Sequence, residues 1–107
     1  MGNKLSISII TPTFNRADEL DCLLRSISKQ TYPLKNIEFI VSDDGSYDNT
    51  EKVVNKWQKK SLFDLIYIRH ENKGPGAARN HGLEKCKGDI ILFIDSDCEA
   101  HPKWIEV

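Results

Sequence analysis

The sequence has 107 residues, enough for one domain or part of one and short for a complete two-substrate enzyme. Apolar residues make up 39% and charged residues 29%, which excludes a disordered chain, and a net charge of -1 supplies no field for nucleic acid or an anionic membrane. No apolar run reaches the length of a transmembrane helix, and cysteines only at Cys22, Cys86 and Cys98 fit reduced thiols in a cytoplasmic protein.

Leu5 to Ile10 alternates and then runs apolar, which predicts a first strand stopped by Thr11-Pro12-Thr13-Phe14-Asn15. Asn15 is suited to cap a helix in which Leu20, Leu23, Leu24 and Ile27 recur on one face, ending near Gln30. Ile37 to Ser42 predicts a second strand, delivering Asp43-Asp44-Gly45-Ser46 to its carboxyl end. Asp48-Asn49-Thr50-Glu51 has the spacing of a capping box, and Val53, Val54 and Trp57 form the buried face of a second helix. Leu62 to Arg69 carries a third strand, and the segment from Glu71 to Leu83 is a glycine-bearing loop that tightens into a helix. Its small residues allow close backbone approach to a sheet or ligand.

Gly88-Asp89 opens a fourth strand. The five apolar residues Ile90 to Ile94 predict burial on both faces before the chain meets Asp95-Ser96-Asp97. Strand and helix thus alternate with short connections, which predicts an α/β fold with four parallel strands, right-handed crossovers and helices on both faces. Pro102 stands where a further helix would open, and the sequence stops about a turn and a half later, as a cut chain would.

Open parallel sheets bind ligands at the carboxyl ends of their strands. Four segments converge there: Thr11 to Asn15, Asp43 to Ser46, Gly74 to Asn80, and Asp95 to Asp97. Each alone reads as turn and cap chemistry. Together they suggest a ligand edge, where aspartates at i and i+2 project to the same side and can hold one hard cation. Gly74-x-Gly76-x-x-Arg79 lacks the third glycine of a dinucleotide fingerprint and follows the third strand, so a nicotinamide site is excluded.

Taken in order, the motifs Ile-Ile-Thr-Pro-Thr-Phe-Asn-Arg, Ile-Val-Ser-Asp-Asp-Gly-Ser, Asn-Lys-Gly-Pro-Gly-Ala-Ala-Arg-Asn-His-Gly and Ile-Leu-Phe-Ile-Asp-Ser-Asp resemble the amino-terminal half of family 2 glycosyltransferases. The resemblance implies a truncated, Rossmann-like GT-A fold in which residues 1–107 are the nucleotide-sugar-binding half and the acceptor-binding half is absent. It implies transfer of a hexosyl unit from a nucleotide-diphosphate donor, a UDP-sugar, to the hydroxyl of a saccharide or lipid-linked acceptor with inversion. Thr11, Pro12 and Phe14 would line the base pocket, with Asp44 and Asp43 recognising the base. Arg79 would contact the nucleotide, Asp95 the ribose, and Asp97 with Asp95 a Mn2+ or Mg2+ ion. The catalytic base is expected beyond Val107, so the chain is expected to bind donor without turning it over. A longer parent would be cytoplasmic or peripheral at a membrane.

Two other readings stay open on the residues. A sugar-1-phosphate nucleotidyltransferase can share this fold, although its glycine-rich loop would follow the first strand, where Thr11-Pro12-Thr13-Phe14 is a poor match. A non-catalytic nucleotide-binding module is the other.

Overall fold

The computed structural model describes residues 5–71 and 73–105. Its elements alternate as the hydrophobic pattern predicts: β1 (Ile7–Thr13), α1 (Ala17–Ser28), β2 (Ile37–Asp43), α2 (Thr50–Lys60), β3 (Asp64–Arg69), α3 (Gly74–Lys85) and β4 (Ile90–Phe93). All strand pairs are parallel, in the order β3-β2-β1-β4. That order makes β1 and β2 the two central strands, under the helices.

The α1 stripe is the reason this sheet has a core. Leu20, Leu23, Leu24 and Ile27 are completely buried against Ile9, Phe39 and Val41, joined by Val54 and Trp57 of α2. Full burial of side chains this size stabilises by about 1.5–3 kcal/mol each. The opposite face of the sheet is covered by α3, which lies against β1 and β2. Gly82 permits that contact, since a Cβ there would stand 2.5 Å from Ile10 Cγ2.

Several details depart from the sequence expectation. β1 does not stop at Ile10 but runs on through Pro12 to pair Thr13 with Asp43. The Thr13 carbonyl accepts from Asp44 N on the β2 side and the Ile10 carbonyl from Ile94 N on the β4 side, so Pro12, two residues after Ile10, directs its missing N–H towards β4. β4 has already ended there, its last pair being Ile10 with Phe93, and the proline leaves no ladder partner unsatisfied.

β4 itself is shorter and less buried than expected. It is an edge strand with Ile90 and Ile91 each 39% and Phe93 45% exposed, because among the described residues it pairs with β1 alone. Asn15 does not cap α1. It adopts a left-handed φ of 51°, and the first helical amide, Ala17 N, donates instead to Asp48 Oδ2 at 3.2 Å. The Asp48 carboxylate also accepts from Thr50 N and Oγ1, so the expected capping box becomes one aspartate shared between the starts of two helices. Residues 102–105 form turns, and the rest of the expected terminal helix lies outside the described residues. No described helix is long and apolar enough to cross a membrane.

Candidate functional site

β1 runs through Thr11, Pro12 and Thr13 after β4 has left the sheet, and the step opens a cavity of about 490 Å³ at the carboxyl edge. Its walls are the end of β1 (Pro12, Thr13, Phe14), the start of α1 (Arg16), the turn after β2 (Asp44), α3 (Ala78, Arg79) and the turn after β4 (Asp95, Ser96, Asp97). The structure thereby brings together Pro12, Phe14, Asp44, Arg79, Asp95 and Asp97 from four separate segments of the sequence.

Thr11 and Asp43 stand behind this wall. Both are completely buried, and neither side chain is open to a ligand in this arrangement. Thr11 Oγ1 donates to the Ile94 carbonyl at 2.6 Å, tying β1 to the residue just before the acidic turn. Asp43 Oδ1 accepts from Ser46 N at 2.9 Å and Ser46 Oγ at 2.6 Å, which closes the turn that presents Asp44. Asp43 Oδ2 accepts from the Tyr67 hydroxyl and lies 3.8 Å from Arg69 Nη1. Burial and this carboxylate hold the Tyr67 phenol protonated well above its usual range. A buried carboxylate so surrounded by donors is satisfied within the fold.

Asp44 is both a wall of the cavity and an anchor. Its carboxylate accepts from Lys73 N and Gly74 N, fixing the first turn of α3 and with it Arg79 one turn later. His70 Nδ1 approaches Asp44 Oδ1 to 3.2 Å without hydrogen-bond geometry, while Nε2 lies 3.4 Å from Ser42 Oγ. The His81 ring of α3 meets His70 edge-on, 4.4 Å between centroids. His81 is therefore a packing partner, and His101 is a loop residue whose Nδ1 accepts from Lys103 N.

A second pair of ties joins the two turns at the cavity rim. Asn15 N donates to Ser46 Oγ at 2.7 Å and Tyr47 N to Asn15 Oδ1 at 2.9 Å. Phe14 lines the cavity, is 40% exposed and meets Tyr47 edge-on, with 6.0 Å between ring centroids.

On the opposite wall, donor atoms of Asp95, Asp97 and Cys98 all lie within 4.8 Å of one another on exposed side chains. Two carboxylates with room for water and for a substrate's own oxygens fit Mn2+ or Mg2+, while the Cys98 thiol is too soft a donor for either. Arg16 Nη1 lies 3.9 Å from Asp97 Oδ2. Sequence reasoning passed over Arg16, although it closes the Thr-Pro-Thr-Phe-Asn-Arg motif at the mouth of the site.

The profile of glycosyl transferase family 2 matches residues 8–107, which includes every segment of this cavity. The chain belongs to that family.

Known glycosyltransferases resemble the chain in sequence and in shape. Glycosyltransferase AglE of Haloferax volcanii is 36% identical over 100 residues, covering 94% of this chain and 33% of AglE. The crystal structure of S. aureus TarS in complex with UDP superposes with a TM-score of 0.87 at 34% identity, covering 95% of this chain and 30% of that one. The mannosyltransferase PcManGT from Pyrobaculum calidifontis, in complex with GDP-Man and Mn2+, gives 0.86 at 28% identity, over 92% of this chain and 29% of that one. The four-stranded sheet is thus a GT-A type fold, and the chain spans about a third of the length of these proteins.

Proposed function

We propose that this chain is the donor-binding half of an inverting glycosyltransferase, holding a UDP-sugar and a divalent cation for transfer to the hydroxyl of a saccharide or lipid-linked acceptor. The observation that carries the proposal is the single cavity in which Asp44, Arg79, Asp95 and Asp97 converge beside the partly exposed Phe14. Pro12 and Phe14 supply an apolar wall for the base, and Asp44 offers it a fixed acceptor. Arg79 is a planar donor suited to phosphate oxygens. Asp95 is assigned to the ribose and Asp97, with Asp95, to the cation. Thr11 and Asp43 hold the strand ends in place and are assigned no direct contact with the donor.

The charges explain why a cation belongs here. Asp44, Asp95 and Asp97 face the cavity with Arg16 and Arg79, so an anionic diphosphate meets more carboxylates than guanidiniums. Mn2+ or Mg2+ bound there would reverse that balance and act as a Lewis acid on the departing diphosphate. The base that takes the acceptor proton is assigned to a part of the protein beyond Val107, since among the described residues the cavity is lined by no carboxylate other than Asp44, Asp95 and Asp97. UDP is preferred over GDP because the UDP-bound TarS structure is the more similar in sequence, at 34% against 28% identity.

Isothermal titration with UDP, GDP and ADP, each with and without Mn2+, tests the reading. Binding of UDP that strengthens with Mn2+ is the expected outcome. Failure of all nucleotides to bind under either condition would overturn it.

A further inference from the structure

Arg16 occupies a position that its own helix does not favour. It is the residue preceding the first turn of α1, where Ser, Thr, Asp or Asn would cap, and it makes no side-chain cap hydrogen bond. A cation at this end also opposes the helix dipole. Where a residue violates the local rule, a functional reason is the first to look for.

Its side chain supplies one. Arg16 lines the cavity, and Nη1 stands 3.9 Å from Glu19 Oε2 and 3.9 Å from Asp97 Oδ2, with all three side chains about half exposed. Ion pairs this long and this wet are weak and readily exchanged. Glu19, three residues along the helix, lies at the same 3.9 Å from the same nitrogen, so the guanidinium bridges two carboxylates loosely and is held closely by neither.

We propose that Arg16 is an exchangeable ligand for the donor's diphosphate: it screens Asp97 while the site holds no cation, and turns to the phosphate oxygens once a divalent ion takes the carboxylate. This rests on the donor site proposed above. With a divalent ion held at Asp97 the guanidinium would lose its attraction to that carboxylate, and the oxygens of a bound diphosphate would be its stronger acceptors. Arg16 and Arg79 then face the diphosphate from α1 and α3, two walls of one cavity. A fixed structural cation would pair closely with a buried carboxylate instead.

The exchange predicts effects of opposite sign. In Arg16→Gln, affinity for Mn2+ alone, read by electron paramagnetic resonance, should rise about threefold as a competing cation is lost. Affinity for UDP with Mn2+ present, read by calorimetry, should fall about tenfold, and Arg16→Lys should recover part of that loss. Uridine, lacking phosphate, should bind both proteins equally. Unchanged UDP affinity in Arg16→Gln, or an equal loss for uridine, would overturn the assignment while leaving the donor site standing. Failure of the unaltered protein to bind UDP with or without Mn2+ would remove the donor site and this assignment with it.

Discussion

The Asp44 carboxylate accepts hydrogen bonds from the amides of Lys73 and Gly74 at 2.7 and 3.0 Å, fastening the turn after β2 to the helix that carries Arg79. The residue assigned to the base and the residue assigned to the phosphates are therefore parts of one unit. Gly74 has a φ of 88°, a conformation that glycine adopts without strain, and so presents its amide at this angle.

Asp44→Ala should expose this coupling. Loss of the acceptor for two helix-start amides is expected to destabilise the fold by about 1–3 kcal/mol, measured by denaturant titration. UDP affinity should fall more than tenfold, on the order of 1.4 kcal/mol or greater. Asp44→Asn retains one acceptor oxygen and should lose less stability, while its added N–H groups still impair the base contact.

Gly82 is the seat of α3. An alanine Cβ there would lie 2.5 Å from Cγ2 of Ile10, a β-branched side chain that is completely buried and cannot turn away. Gly82→Ala should cost about 1–3 kcal/mol through overpacking, despite alanine's better helix propensity. A gain in stability would show that α3 can lift from the sheet without penalty.

Much of this arrangement was legible in the sequence. The Leu20, Leu23, Leu24, Ile27 stripe and the Ile37 to Ser42 run announce a helix and its neighbouring strand because burial imposes their periods. What the sequence hides is how non-local partners reassign polar residues. Asn15 has the chemistry of a cap but is drawn away by Tyr47 N, and Asp48 caps a helix that begins 31 residues earlier in the chain. Asp43 and Asp44 are adjacent and chemically identical, yet strand alternation turns one into the fold and leaves the other at the cavity. The apolar composition of β4 suggested burial on both faces, but burial depends on neighbours and this strand lies at the edge. Arg16 escaped notice because its use depends on Asp97, far away in sequence.

Acid should weaken the contact between α1 and α2 only below the ordinary range of aspartate carboxyls. The hydrogen bond from Lys56 holds the Asp21 carboxyl below its ordinary 3.8, against an opposing effect of burial, with Trp57 Nε1 donating to the same oxygen. At Asp48 burial pushes upward, but hydrogen bonds from Thr50 and Ala17 outweigh it and the net shift is also downward. A folded pKa below the unfolded one means stabilisation that is complete above the unfolded value and lost as pH falls through the folded one. Both contributions should therefore be whole at neutral pH and decline below 3.8. Asp21→Asn should flatten the acid limb of a stability profile, and Trp57→Phe should cost about 1 kcal/mol for its hydrogen bond in addition to lost packing.

The central claim is that Asp97, in the turn after β4, holds a divalent ion through which the cavity accepts a nucleoside diphosphate. Calorimetric titration of UDP into the unaltered chain and into Asp97→Ala, each with and without Mn2+, tests it most directly. The account predicts that Mn2+ strengthens UDP binding by the unaltered chain at least tenfold and has no such effect on Asp97→Ala. Equal strengthening by Mn2+ in both proteins would contradict it.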